Sequence, residues 1–186
     1  LPKPCANACG ALLDGTIYVA GGIDAPDATA ALRTFWSLDL GRTPLQWQEL
    51  EPWPGPGRML AVAAVQDRAF FLVGGAGLTA DAQGRPARHY LNDAHRYQPN
   101  SGWRRIADLP HPVTAAPTPA PSLGQSSFLI LGGDDGSKQG FQPLEQHPGF
   151  TRTILAYHTI TDTWKPLGEA PAAHVTTSLV RWNGSF

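Results

Sequence analysis

Three observations predict an all-β propeller in this chain of 186 residues. Short apolar runs recur, each ending in a Gly-Gly pair: Thr16 to Gly22, Ala69 to Gly75 and Ser127 to Gly133. A tryptophan follows each pair, at Trp47, Trp103 and Trp164, with Leu or Ile three residues later. The two landmarks keep nearly one period, 53 and 58 residues between the glycine pairs and 56 and 61 between the tryptophans. A repeat of about fifty residues built from short strands is a four-stranded propeller blade.

Each element has a local reason. In the second unit the β-rich runs are Met59 to Val65, Ala69 to Val73, His89 to Tyr97 and Trp103 to Ala107. Asp14-Gly15, Gln66-Asp67, Gly124-Gln125 and Asn183-Gly184 fall between first and second strands, and Asp-Gly and Asn-Gly favour tight hairpins. The Gly-Gly pairs permit positive φ and close backbone approach. Each tryptophan is large enough to fill the gap between neighbouring blades. Helical periodicity is absent, and Ala28 to Leu32 could form one short turn at most. The 20 glycines and 18 prolines punctuate the runs and show no three-residue period.

These landmarks divide residues 1–186 into units at about 5–54, 58–110 and 113–171, with the start of a further blade at 174–186. His174 to Trp182 reads as a first strand and Asn183-Gly184 as its turn. Three antiparallel four-stranded blades plus a first strand do not close a ring. The expectation is a propeller fragment whose partners are the remaining blades of a larger protein, and whose open edges favour self-association.

Composition sets limits. Hydrophobic residues make 42% and charged residues 16%, which suits a chain with a packed core. A net charge of −1 gives no electrostatic footing for nucleic acid or an anionic membrane. No apolar run approaches the roughly 18 residues of a membrane span. Leu1-Pro2-Lys3-Pro4 does not read as a signal peptide, which leaves the compartment open. Cys5 and Cys9 on one strand would lie about 13 Å apart, too far for a disulfide. No second cysteine pair follows at metal-ligand spacing.

Chemistry is expected on one face. In an up-and-down blade the loops from strand 2 to strand 3 share a face with the links between blades, and loops on a rigid scaffold carry function. The 2–3 loops run from about Ile23 to Leu32, Ala76 to Ala87 and Asp134 to Thr151. The third holds Asp134, Asp135, Lys138, Glu145 and His147, with Arg152 at its end, while Asn7, Arg58, Thr114 and His174 lie on the links. Arg58 reads either as the partner of a carboxylate or carbonyl near the axis, or as a receptor for a ligand anion. Asp134-Asp135-Gly136 reads as a turn or as a ligand contact. His147 and His174 read as loop residues or as acid–base groups. Asn92-Asp93 reads as a tie between the third strand and its neighbour. No Ser-His-Asp order, phosphate-cradling glycine loop or His-x-x-x-His spacing is present.

The Gly-Gly pair with its spaced tryptophan resembles kelch repeats over the whole chain. A narrower likeness lies in Asn7 to Ala11, Trp53 to Arg58, Leu91 to Tyr97, Leu131 to Gly136 and His147 to Arg152. These segments resemble the bacterial N-acetylneuraminate epimerases, or sialic acid mutarotases, most strongly the cyclically permuted mutarotases. That resemblance implies a six-bladed propeller, with periplasmic members, that interconverts the α and β anomers of a small sugar acid without a cofactor or metal. A base would take the anomeric hydroxyl proton, an acid would protonate the ring oxygen, and an arginine would pair with the carboxylate. Arg58 matches a family arginine at the start of a blade. Asn7, Asp134, Asp135, Arg152 and His174 complete the expected ligand set.

The family's Gly-Glu-x-x-Pro-Gly-x-Arg segment, with its proposed catalytic glutamate, would fall after Phe186. These residues alone are therefore expected to be inactive. The alternative is a non-catalytic kelch module that binds protein or glycan. A copper oxidase of the galactose oxidase type would need Tyr and His ligands and a Cys joined to Tyr, and no such constellation is evident.

Overall fold

The chain folds into three four-stranded antiparallel sheets, one for each repeat; the computed structural model describes residues 1–180. The first sheet runs β1 (Cys9–Leu13), β2 (Thr16–Ala20), β3 (Phe35–Asp39) and β4 (Trp47–Leu50) in chain order. The second begins with β5 (Val62–Gln66) and β6 (Ala69–Val73). An inserted hairpin follows, β7 (Ala76–Ala80) and β8 (Pro86–Tyr90), before the sheet resumes with β9 (Ala94–Gln98) and β10 (Gly102–Ile106). The third contains β11 (Ser122–Leu123), β12 (Ser127–Gly133), β13 (Thr151–His158) and β14 (Thr163–Glu169).

The inserted hairpin corrects the expected third strand of the second unit. The run His89 to Tyr97 is not one strand. Tyr90 pairs with Ala76 in the hairpin, the chain turns through Leu91 to Asp93, and β9 starts at Ala94. The break is held by backbone: Leu91 N–H donates to Gly75 C=O and Gly74 N–H to Asp93 C=O. The hairpin's own turn is fixed by Asp81, whose Oδ1 accepts the N–H groups of Gln83 and Arg85 at 2.8 Å each.

Other elements also depart from the pattern. Ala28 to Leu32 forms no helical turn, and Leu144–Gln146 makes a short 3-10 turn instead. β11 is only two residues long because Pro117, Pro119 and Pro121 precede it without a ladder donor. Residues 174–180 form no strand; a bridge joins Ser178 to Thr118, in the link that precedes β11. Trp182 and the Asn183-Gly184 turn lie outside the described residues.

Packing lies between blades. All five residues of β6 are buried, because its two faces meet different neighbours. Phe70 and Leu72 join Tyr18, Phe35, Trp53 and Tyr97 in a core against the first sheet. Phe71 and Val73 join Phe128, Ile130 and Tyr157 in a core against the third. Burying one such side chain stabilises by about 1.5–3 kcal/mol. The repeat tryptophans close these cores. Trp103 packs on Phe35 with centroids 4.8 Å apart, and Trp164 packs on Tyr157 at 4.8 Å. Their indole N–H groups donate to the previous unit, Trp103 to Glu51 C=O at 3.0 Å and Trp164 to Ala107 C=O at 2.8 Å.

The glycine pair makes the second contact between blades. Gly22 N–H donates to Arg58 C=O at 2.8 Å, and Gly75 N–H donates to Val113 C=O at 2.7 Å. A Cβ at Gly21 or Gly74 would sit 2.2 Å from that same carbonyl oxygen, and both glycines have positive φ. Gly74→Ala is therefore expected to destabilise by more than about 2 kcal/mol, since strain and a backbone clash act together. Gly84→Ala, at φ +73° but in open space, is expected to stay near about 1 kcal/mol. Urea unfolding of the two variants checks the contrast.

Candidate functional site

The links between blades form a repeated backbone relay. Asn7, Leu60, Ala115 and Thr176 occupy corresponding positions, and all four have φ between 54° and 57°. Leu60 N–H donates to Asn7 C=O, Ala115 N–H to Leu60 C=O and Thr176 N–H to Ala115 C=O, at 2.7–2.8 Å. The residue before each of the first three bridges to the residue after its own glycine pair: Ala6 to Ile23, Met59 to Ala76 and Thr114 to Asp134. This brings the links and the 2–3 loops to one face, and every loop that could hold a ligand starts from a fixed backbone pair.

Arg58 lies within this seam, fully buried. Its guanidinium donates to Gly74 C=O at 2.9 Å and to Asp93 Oδ2 at 2.6 Å, and it sits 5.4 Å from the Trp53 ring centroid. His95 Nε2–H donates to the same carboxylate oxygen at 2.8 Å. Burial alone would raise the Asp93 carboxyl. The hydrogen bonds from His95 and Arg58, with the Arg58 charge, outweigh it and hold the group well below the usual carboxylate range. Asn92 ties to Leu109 C=O at 3.3 Å.

The other sequence-predicted residues are spread over the face. Arg152 repeats the role of Asn92: it reaches Pro171 C=O at 3.5 Å and pairs with Glu169 at 2.5 Å. Asp135 caps the Ser137 N–H at 2.9 Å. His174 is exposed, at the position that Arg58 and Val113 hold in earlier units. Asn7 lines a cavity of about 730 Å³ with Cys5, Ile23, Met59, Leu78 and Arg88. Asp134 lines a second cavity of about 500 Å³ beside Arg88, Tyr90, Lys138 and His147. Asp134 is held from two sides, by Tyr90 O–H at 3.0 Å and Gly136 N–H at 2.9 Å.

The structure thus brings Asp134, Lys138 and His147 together, and leaves Arg58, Arg152 and His174 apart from them. Arg88 and Tyr90 are the residues that sequence reasoning missed. Their signal was the alternation Pro86, Arg88, Tyr90 on one side of a strand, hidden because the hairpin was read partly as loop. Burial and the Asp134 hydrogen bond both raise the Tyr90 phenol, so it stays protonated as a donor. Among the described residues no group of three or more His, Cys, Asp or Glu could hold a metal, and no helix is long and apolar enough to cross a membrane.

Four-stranded sheets with tryptophan and glycine-pair seams, and the 2–3 loops gathered on one face, define a kelch-type β-propeller module. The N-acetylneuraminate epimerase family model matches residues 1–142. The chain belongs to that family. It is 26% identical over 194 residues to an N-acetylneuraminate epimerase of Haemophilus influenzae strain PittEE, covering 92% of this chain and 48% of that protein. It is 24% identical over 198 residues to one of Salmonella typhimurium, covering 93% and 48%. A solved structure titled "Structure of YjhT" superposes with a TM-score of 0.71 at 19% identity, covering 91% of this chain and 53% of that one, and shares the fold. The chain spans about half the length of the curated relatives it matches.

Three outcomes follow from these groups. Asp93→Ala leaves Arg58 buried without its partner and is expected to destabilise by about 3–5 kcal/mol in chemical denaturation. The native Asp93 carboxyl is depressed, so its stabilisation is complete above the ordinary carboxylate value of about 3.9 and is lost as pH falls below it. Stability of Asp93→Asn is accordingly expected to fall less steeply than wild type between about pH 4 and pH 2. Burial also pushes the Cys9 thiol up to about 12, with the Arg58 charge opposing it only in part, while Cys5 is half-buried at the cavity. A thiol reagent at about pH 8 is expected to label Cys5 in the native protein and Cys9 only after unfolding; mass spectrometry of the adducts checks it.

Proposed function

We propose that the protein containing this chain interconverts the α and β anomers of N-acetylneuraminate. The family match across residues 1–142 carries the reading. The reaction needs a base at the anomeric hydroxyl and an acid at the ring oxygen. As the hydroxyl proton leaves, the bond from the anomeric carbon to the ring oxygen breaks and that oxygen takes a proton. The open keto acid then rotates and recloses on the other face.

The fold supplies a rigid loop face for this chemistry, and the cavities beside Asn7 and Asp134 support a site there. Asp134, fixed by Tyr90 and Gly136, offers an oriented acceptor for a sugar hydroxyl. We assign the proton-transfer glutamate, expected in the Gly-Glu-x-x-Pro-Gly-x-Arg segment, to the remaining length of the protein.

NMR of freshly dissolved α-anomer tests the proposal. The full-length protein is expected to speed the approach to anomeric equilibrium, and the 186 residues alone are expected to leave its rate unchanged. A full-length protein that binds sugar or a protein partner without changing that rate would favour the non-catalytic kelch module.

A further inference from the structure

We propose that Arg88 and Lys138 receive the carboxylate of the sugar acid, in the cavity between the β7–β8 hairpin and the loop after Asp134. The inference rests on the mutarotase reading for its ligand, and on geometry for its residues. A bound sugar acid needs a cation with free donors. Arg58 offers no accessible donor, because it is fully buried and its two terminal nitrogens are engaged by Gly74 and Asp93. Arg88 is exposed on β8 and lines both large cavities of this face. Among the described residues neither Arg88 nor Lys138 is in an ion pair, whereas Arg85 on the same hairpin pairs with Asp81 at 3.2 Å. Two unpaired cations therefore converge on one cavity, and Arg88 presents a planar fork suited to a carboxylate.

The rest of the cavity suits a sugar ring. Its volume of about 500 Å³ lies in the small-molecule range. Phe141, His147 and Phe150 stand along one side, with centroids 5.5 Å and 5.2 Å apart in sequence, and offer ring faces to the apolar side of a pyranose. The opposite side is stiff. The Tyr90 ring lies so close beneath Gly136 that a Cβ there would meet it at 2.6 Å, and Tyr90 O–H holds Asp134. Hairpin and loop are locked together by this contact, which sets the separation of Arg88 from Lys138.

The test uses the full-length protein. In mutarotation kinetics, Arg88→Gln with Lys138→Gln is expected to raise KM for N-acetylneuraminate about 10- to 100-fold with a smaller change in kcat, as loss of a charged hydrogen bond predicts. Arg88→Lys should recover part of that loss, and Arg85→Gln should leave KM unchanged. Calorimetric binding of N-acetylneuraminate against its uncharged methyl ester gives a second readout that does not need turnover. Wild type should prefer the acid, and the double variant should lose the preference. A folded double variant, melting within about 2 °C of wild type, that keeps wild-type KM or wild-type preference for the acid overturns the inference while leaving the mutarotase reading intact. A wild type that binds the acid through Arg88 but never speeds anomerisation overturns the mutarotase reading alone. A wild type that does not bind the acid overturns the assignment of Arg88 and Lys138.

Discussion

Everything in this chain depends on how closely the backbone of one blade approaches the next. The carbonyl oxygens of Arg58 and Val113 reach into the glycine pair of the preceding unit, at a spot where a Cβ would stand 2.2 Å away. That approach places the next residues so that Met59 and Thr114 pair with Ala76 and Asp134, and sets the positive-φ relay from Asn7 through Thr176. The apolar cores reinforce the seam but do not define it. Phe and Trp contacts tolerate small shifts, whereas a hydrogen bond between two backbones at 2.7–2.8 Å does not.

One seam carries a buried charge. The positions equivalent to Arg58 hold Cys5, Val113 and His174, so the scaffold requires only the backbone there. At Arg58 the side chain adds a guanidinium, a carboxylate and an imidazole beneath Trp53. Arg58 Nε, Asp93 Oδ1 and His95 Nδ1 have no hydrogen-bond partner among the described residues. A charged pair taken out of water gains little net stability over apolar packing, but removing one member is severe. Its visible effect is geometric: the pair joins the start of the second unit to the turn that begins β9, and so fixes the root of the β7–β8 hairpin.

That hairpin divides the loop face. Arg88 stands between the two cavities, and Tyr90 fastens the hairpin to Asp134 in the next unit. Polar groups on neighbouring blades are thus set by the Arg58–Asp93 and Tyr90–Asp134 contacts laid over a rigid backbone frame. The proposed sugar-acid receptor rests on this arrangement, which places two cations and the fixed Asp134 carboxylate beside one cavity.

The blade architecture was legible in the sequence because its causes are local. Gly-Gly after an apolar run, a tryptophan at fixed spacing and a tight turn such as Asp14-Gly15 each act within a few residues, and the repetition of the first two revealed the period. The cavities were not legible in this way. Arg58 and Arg88 are both arginines near loops. Only the packing of three units decides that the first is enclosed by Asp93, Gly74 and Trp53 while the second faces an open cavity. The hairpin was hidden because its pairing partner, Ala76 to Ala80, looks like loop until Leu91 turns the chain back. Strand composition follows from neighbouring residues, but the reach of a side chain depends on which distant backbone lies across from it, and that is fixed only when the blades dock.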